Sequence, residues 1–281
     1  MLISLNLCRF LACTAAFCCF SFGAALPSFG QATGDASTEA TKASDARDQL
    51  NLGVDAYQAA HYDEAIAHFK KATELDPTLP MAKAYLATAL AQNVVPGLDT
   101  PDNLTLAQQA IDLFKQILVK DPQDVNSLKQ VAGICFSVKR FDEAKDWQKK
   151  VLDVNPADPE AAYTIGVIDW QLAHQNALKA LQSAGLSDDG LGNATAPQGV
   201  METIKTQNTA LVDEALTYLN QAIQNRPNYY DAMAYINLVY RRKADLDWAN
   251  ESARKDDIAK AEQWRTKAMA SHMASQRQKT N

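Results

Sequence analysis

Four histidines, one late cysteine and several paired carboxylates are the residues of this chain whose types could do chemistry. The stretch HYDEAIAHFKKATELDP, residues 61–77, concentrates them in His61, His68 and the adjacent acids Asp63 and Glu64. General acid–base work needs two groups in different environments that face one substrate. Consecutive residues of a helix diverge by about 100 degrees, so Asp63 and Glu64 do not meet that condition. Acids in a first helical turn complement the helix dipole instead. The same pair returns as Asp142-Glu143 and Asp213-Glu214, and a catalytic pair is not expected once per segment. No catalytic residue is assigned, and the chain does not read as an enzyme.

The remaining motifs are equally plain. His61, His68, His174 and His272 show no metal-ligand spacing, and there is no His-Glu-x-x-His, so neither a metal nor a cofactor is expected. His61 precedes a helix and His68 lies within it, which argues against a shared face. Cys135, in AGICFSV, reads as a buried small apolar residue. LSDDGLGN, residues 186–193, lacks the alternating acids of a calcium loop and reads as a flexible loop. Gly190-Leu191-Gly192 follows no strand and is no nucleotide fingerprint. Asn103, Asn193 and Asn250 open Asn-x-Ser/Thr tripeptides, which matter only in a host that glycosylates them.

The elements that must position these residues are helical. Gly and Pro are few, and Ala, Leu, Gln, Lys and Asp are plentiful. A net charge of −6 argues against a nucleic-acid partner. The N-terminus differs in kind: Arg9, an apolar run from Phe10 to Phe22, then Pro27 and small residues. This predicts a signal peptide over residues 1–32, cleaved after Ala32, with Gly30 or Ala25 as other cleavage points. The run is short for a membrane anchor, and Phe10-Leu11-Ala12-Cys13 is a poor lipoprotein box. Cleavage removes Cys8, Cys13, Cys18 and Cys19 and leaves Cys135, so no internal disulfide is expected. The expectation is an exported, periplasmic or secreted protein without stable membrane insertion. Residues 33–44, small and polar, are expected to form a disordered leader, and 277–281 a tail.

Laying segments over one another exposes a repeat. YDEAIAHFKKATELDP (62–77), FDEAKDWQKKVLDVNP (141–156) and VDEALTYLNQAIQNRP (212–227) match, and LAQQAIDLFKQILVKDP (106–122) is a weaker copy. Each copy has an Ala twelve residues before its Pro: Ala65, Ala110, Ala144 and Ala215, with Ala261 in a fifth unit. Gly53, Ala87, Ala132 and Gly166 hold a small residue at a fixed place in the preceding helix. The prolines Pro77, Pro122, Pro156 and Pro227 are separated by 45, 34 and 71 residues, so a period of 34 is interrupted by insertions.

With Leu52, Gly53, Tyr62, Asp63, Glu64, Ala65, Phe69, Ala72 and Pro77 in place, the chain resembles the tetratricopeptide repeat (TPR) family, and its residues 227–264 resemble the end of a group of secreted bacterial TPR proteins. The resemblance implies an all-α, right-handed superhelical solenoid of helix-turn-helix repeats. Five units follow, at 46–79, 80–124, 125–158, 159–229 and 230–276. The insertions fall between the A and B helices of a unit. Residues 93–103 form a loop, with Thr100 capping and Pro101 opening the next helix. Residues 175–210 form a projecting helical hairpin. Residues 245–257 either lengthen a helix or connect two.

In this family the A helices line the inner face with positions 2, 5, 9, 12 and 13. That puts Tyr57, Phe136, Trp170 and Arg241 at position 12, and Gln58, Gln92, Ser137, Gln171 and Arg242 at position 13. Tyr163 falls at position 5 of the fourth unit. Aromatics with polar neighbours and a terminal Arg pair suit a peptide segment or a partner helix. Packing of these aromatics against the inserts or the next repeat explains them equally well. The carboxylate clamp of chaperone-binding members is not matched, since its positions hold Leu50, Val54, Tyr85, Asn126 and Gln130. The expected function is an interaction scaffold for another envelope protein. An accessory role to an envelope enzyme and assembly with further copies are the alternatives.

Overall fold

A computed structural model of the chain describes residues 35–79 and 81–280; the expected signal peptide lies outside them. Residues from Lys42 onward form one compact unit, to which the following account applies. Ten helices and no strand are found among the described residues: α1 (Asp35–Gln58), α2 (Tyr62–Leu75), α3 (Ala82–Asn93), α4 (Pro101–Lys120), α5 (Val125–Ser137), α6 (Phe141–Val154), α7 (Pro159–Ser183), α8 (Gln198–Asn225), α9 (Tyr230–Leu246) and α10 (Glu251–Thr280). They pair in order into five A/B hairpins.

Helix ends follow local chemistry. Asp124 and Asp158 cap α5 and α7 by accepting from the amides two and three residues on. Thr100 Oγ1 accepts from Asn103 N, with Pro101 at the first position of α4. In the uninterrupted first and third units the A helix turns into the B helix identically. Ala60 and Lys139 take left-handed φ values of 61 and 60 degrees. His61 N then donates to Ala56 O at 2.9 Å, and Arg140 N to Cys135 O at 2.8 Å, the long bond of a Schellman end. The expected leader needs correction, because α1 begins at Asp35 and so includes residues 35–44. Their Ala, Glu and Lys are helix formers that extend the first A helix backwards.

Packing rests on small residues. Ala65, Ala110, Ala144, Ala215 and Ala261 are all fully buried, as are Ala87 and Ala132. A Cβ on Gly53 would stand 2.5 Å from the Phe69 ring, and one on Gly166 2.5 Å from Leu219 Cγ. Each A helix therefore sits directly on its B helix, with the large side chain filling the space a smaller neighbour leaves. One core cluster runs from Ala56 to Ile168. A separate one joins Ala177, Leu181, Met201 and Ile204 with Leu186, Ala196 and Trp248. The insert of the fourth unit and the α9–α10 turn of the fifth thus share one apolar cluster.

Candidate peptide-binding face

In the first three units the A-helix positions expected on the inner face are partly exposed on α1, α3 and α5. Leu50, Val54 and Tyr57 of α1, Ala84, Thr88 and Gln92 of α3, and Phe136 and Ser137 of α5 are half-buried, and Gln58 is exposed. The Tyr57 hydroxyl and the Gln92 side chain are hydrogen-bonded, which ties position 12 of one unit to position 13 of the next. Burial, then the neighbouring Tyr62, pushes the Tyr57 hydroxyl above its ordinary range against that bond. Thr88 Oγ1 donates to Ala84 O at 2.7 Å, so its hydroxyl is satisfied by its own helix. In the first and third units the position-12 aromatic packs on the start of its own B helix: Tyr57 on Tyr62 at 5.4 Å, Phe136 on Phe141 at 5.6 Å. The first insert edges this stretch, where Gly97 N donates to Ser137 O at 2.8 Å. Asn103 fastens that insert through Val95 N, Val95 O and Leu98 O.

Gly133, at position 9 of α5, was missed by the spacing argument. Unlike Gly53 and Gly166, a Cβ placed there would meet nothing within 4 Å. A mid-helix glycine costs about 1 kcal/mol relative to alanine, and no packing demand explains this one. The available signal was a glycine beside Ala132, which already supplies the small residue the repeat requires.

The fourth and fifth units are closed. Tyr163 is buried against Tyr229 at 4.9 Å and Tyr235 at 5.6 Å. Trp170 is half-buried between His174, stacked at 5.2 Å, and the edge of Tyr235; Gln171 beside it is half-buried. The expected Arg pair is not free. Arg242, 3% exposed, donates from Nη2 to both oxygens of Asp188 at 2.9 and 2.8 Å. Arg241 donates to Gly190 O at 3.0 Å and pairs with Glu262. Both acceptors on the insert belong to the stretch read as a flexible loop. It is fastened instead, because Asn193 Nδ2 reaches Asp188 at 3.0 Å and the fully buried Asp245 at 2.8 Å. Packing against the insert and the next repeat therefore explains Tyr163, Trp170, Arg241 and Arg242.

Electrostatics separates the two acids. Burial pushes the Asp245 carboxyl up to about 7, opposed by the Arg242 charge and the Asn193 amide. Burial also raises Asp188, but the Arg242 charge and hydrogen bonds outweigh it and hold that carboxyl below its usual range.

The residues first weighed for chemistry are structural. Glu143 pairs with Arg140 Nε at 2.6 Å, and Glu214 with Lys145 at 2.9 Å and Lys149 at 2.8 Å. Lys145 also bridges to buried Asp169 at 2.8 Å, joining α6 to α7 and α8. His61 and His68 flank Glu64 at 3.6 and 3.9 Å, so they do share a face, since seven residues make about two turns. Among the described residues no group of three or more His, Cys, Asp or Glu is placed to hold a metal ion. Burial pushes the Cys135 thiol up to about 11. Asn103 and Asn193 are buried, and of the three tripeptide asparagines only Asn250 is exposed. No helix among the described residues is long and apolar enough to cross a membrane.

Comparison with known proteins agrees with the fold. The tetratricopeptide repeat family model matches residues 46–79, the first hairpin. Among solved structures, a MamA protein superposes with a TM-score of 0.53 at 16% identity, over 83% of this chain and 94% of that one. MamA from Desulfovibrio magneticus RS-1 gives 0.52 at 16% identity, over 86% and 98%. YrrB, described as a TPR protein with an unusual peptide-binding site, gives 0.50 at 16% identity, over 85% and 96%. At such identities these likenesses speak for the fold alone. A comparison with curated proteins gives no match. The chain carries a tetratricopeptide repeat at residues 46–79, and its described residues have the all-α, paired-helix fold of these solenoids.

Proposed function

We propose that this protein is a non-enzymatic interaction scaffold that holds an apolar-faced segment of another protein on the inner face of its first three units. Gly133 carries the reading: a helix-weakening residue with open space over its Cα, beside Phe136. Glycine there lets a bound chain approach the backbone closely, as small residues do between packed helices. The surrounding Leu50, Val54, Ala84 and Thr88 offer apolar area, and Gln58 and Gln92 offer amides. The charges at positions 2 and 5 there are Arg47 and Lys129, and Lys129 is taken up by Asp158 at 2.6 Å. An uncharged or apolar face on the partner therefore suits this stretch better than a strongly charged one. The N-terminal 32 residues support export, and hence a partner in the envelope or outside the cell. The peptide-binding description of YrrB, which shares the fold, is in keeping with this reading.

The test is site-specific photo-crosslinking in intact source cells, with the crosslinker at Gln92 and, as control, at Val119, which is 83% exposed in the B helix α4. One discrete adduct at Gln92 that is absent at Val119 is expected. Equal labelling at both positions rejects the reading.

A second reading, assembly with further copies, is favoured by α10. Met269 and Met273 lie one turn apart on it, and both are more than half exposed. Molar mass measured by light scattering at several concentrations separates the two readings.

A further inference from the structure

Residues 184–197 lie against α9 and the start of α10 in the fifth unit as a bound peptide would. Asp188 offers its carboxylate to Arg242, and Gly190 its carbonyl to Arg241. Asn193 gives an amide N–H to Asp245. The Gly192 backbone comes so close that a Cβ there would stand 2.8 Å from Ala244 O and 2.6 Å from Arg254 Cδ. Side-chain charge, main-chain carbonyl, amide and backbone shape are thus all read at once.

Two further observations make this more than a packed loop. The turn is shaped by its own residues. Asp188 Oδ1 accepts from Gly190 N at 3.0 Å, and Asp189 Oδ1 accepts from Leu191 N at 2.7 Å and Asn193 N at 3.0 Å. Local hydrogen bonds thus contribute to its form. Secondly, Arg242 faces two carboxylates. Asp245 belongs to the same helix and stands 3.1 Å from Arg242 Nη1, while Asp188 arrives on the insert at Nη2. If Asp188 leaves, its charge no longer disfavours an ionised Asp245, and the guanidinium 3.1 Å away takes that carboxylate as counter-ion, so the receiving surface survives empty. An Arg with a single carboxylate partner would not, because an unpaired buried charge is strongly unfavourable.

We propose that Arg241 and Arg242 form a clamp for an acidic Asp-Asp-Gly turn, filled in this chain by its own residues 188–190 and open to the same turn on a partner protein when the insert is displaced. This rests on the reading of the inner face as the ligand-binding face, and it adds a second site whose partner chemistry is opposite to that of the open stretch.

The experiment replaces residues 186–196 by a Gly-Ser linker in the full chain and titrates it with a labelled synthetic peptide of residues 184–197. Saturable binding is expected, weakened about tenfold or more by Asp188→Asn or Gly192→Ala in the peptide. The intact chain, with its site filled, should not bind. A shortened chain that melts cooperatively and ignores the peptide overturns the proposal, as does equal binding of the Asp188→Asn peptide. Should the shortened chain not fold, Asp188→Asn in the intact chain decides. Amide exchange at residues 190–193 should rise about tenfold while α9 keeps its protection, and unchanged exchange overturns the proposal. Adding Gly133→Trp to the shortened chain should leave peptide binding intact, so failure here and failure of the open-stretch reading are distinguishable.

Discussion

Asp188 and Arg242, 54 residues apart, meet through two hydrogen bonds of 2.9 and 2.8 Å from one guanidinium nitrogen to both carboxylate oxygens. This pair joins the insert of the fourth unit to the last A helix and closes that end of the inner face. Arg242→Met would take the cation from buried Asp245 and half-buried Asp188 and should cost ~3–5 kcal/mol in urea unfolding. Asp188→Asn leaves the Arg242–Asp245 contact and should cost ~1–2 kcal/mol. The reverse order would mean that Asp188, not Arg242, anchors the cluster.

The pH dependence of stability should have a definite sign. Asp245 is held well above its ordinary 3.8, at about 7, chiefly by burial. The fold thus favours its protonated form. That stabilisation is complete below the ordinary carboxylate range and is lost as pH rises through about 7. Asp169, raised to about 6 by burial against the pull of Lys145, slopes the same way over a lower window. Asp188, held low by Arg242, adds stability that is lost only as pH falls below the usual carboxylate range. Asp245→Asn should therefore match the parent chain near about pH 4 and exceed it near about pH 8, by an amount on the order of a few kcal/mol. Parallel unfolding curves for the two proteins at both pH values would contradict this assignment.

Three glycines should respond differently to the same substitution. Gly53→Ala and Gly166→Ala drive a methyl into Phe69 and Leu219 and should lower stability by ~1–3 kcal/mol. Gly133→Ala meets no neighbour and should raise stability by ~0.5–1 kcal/mol. Thermal unfolding of the three variants checks this. A loss at Gly133 would mean that the space above it is not open.

Much of the architecture was legible because the repeat writes it locally. The alanines from Ala65 to Ala261, the Thr100-Pro101 cap and the loop around Pro96-Gly97 each depend on neighbours within one hairpin. The inner face was only half legible. Tyr57 and Gln92 do meet, because positions 12 and 13 of adjacent units adjoin in this fold. Arg242 has the same address in its unit, yet a segment from 54 residues earlier covers it. Nothing in the pattern around Asp188 announces that partner, since an acidic, glycine-rich stretch reads as solvated until a buried guanidinium is placed beside it. The leader misled for the opposite reason, as small polar residues read as disorder although their helix propensity extends α1 to Asp35.

The central claim is that the open inner face of the first three units holds a partner segment over Gly133. The most direct measurement compares the affinity of the crosslink-identified partner for the parent chain, for Gly133→Ala and for Gly133→Trp, each with its melting temperature. The account predicts that Gly133→Trp weakens binding by about a hundredfold or more while melting within a few degrees of the parent. Undiminished binding to a folded Gly133→Trp protein would contradict it.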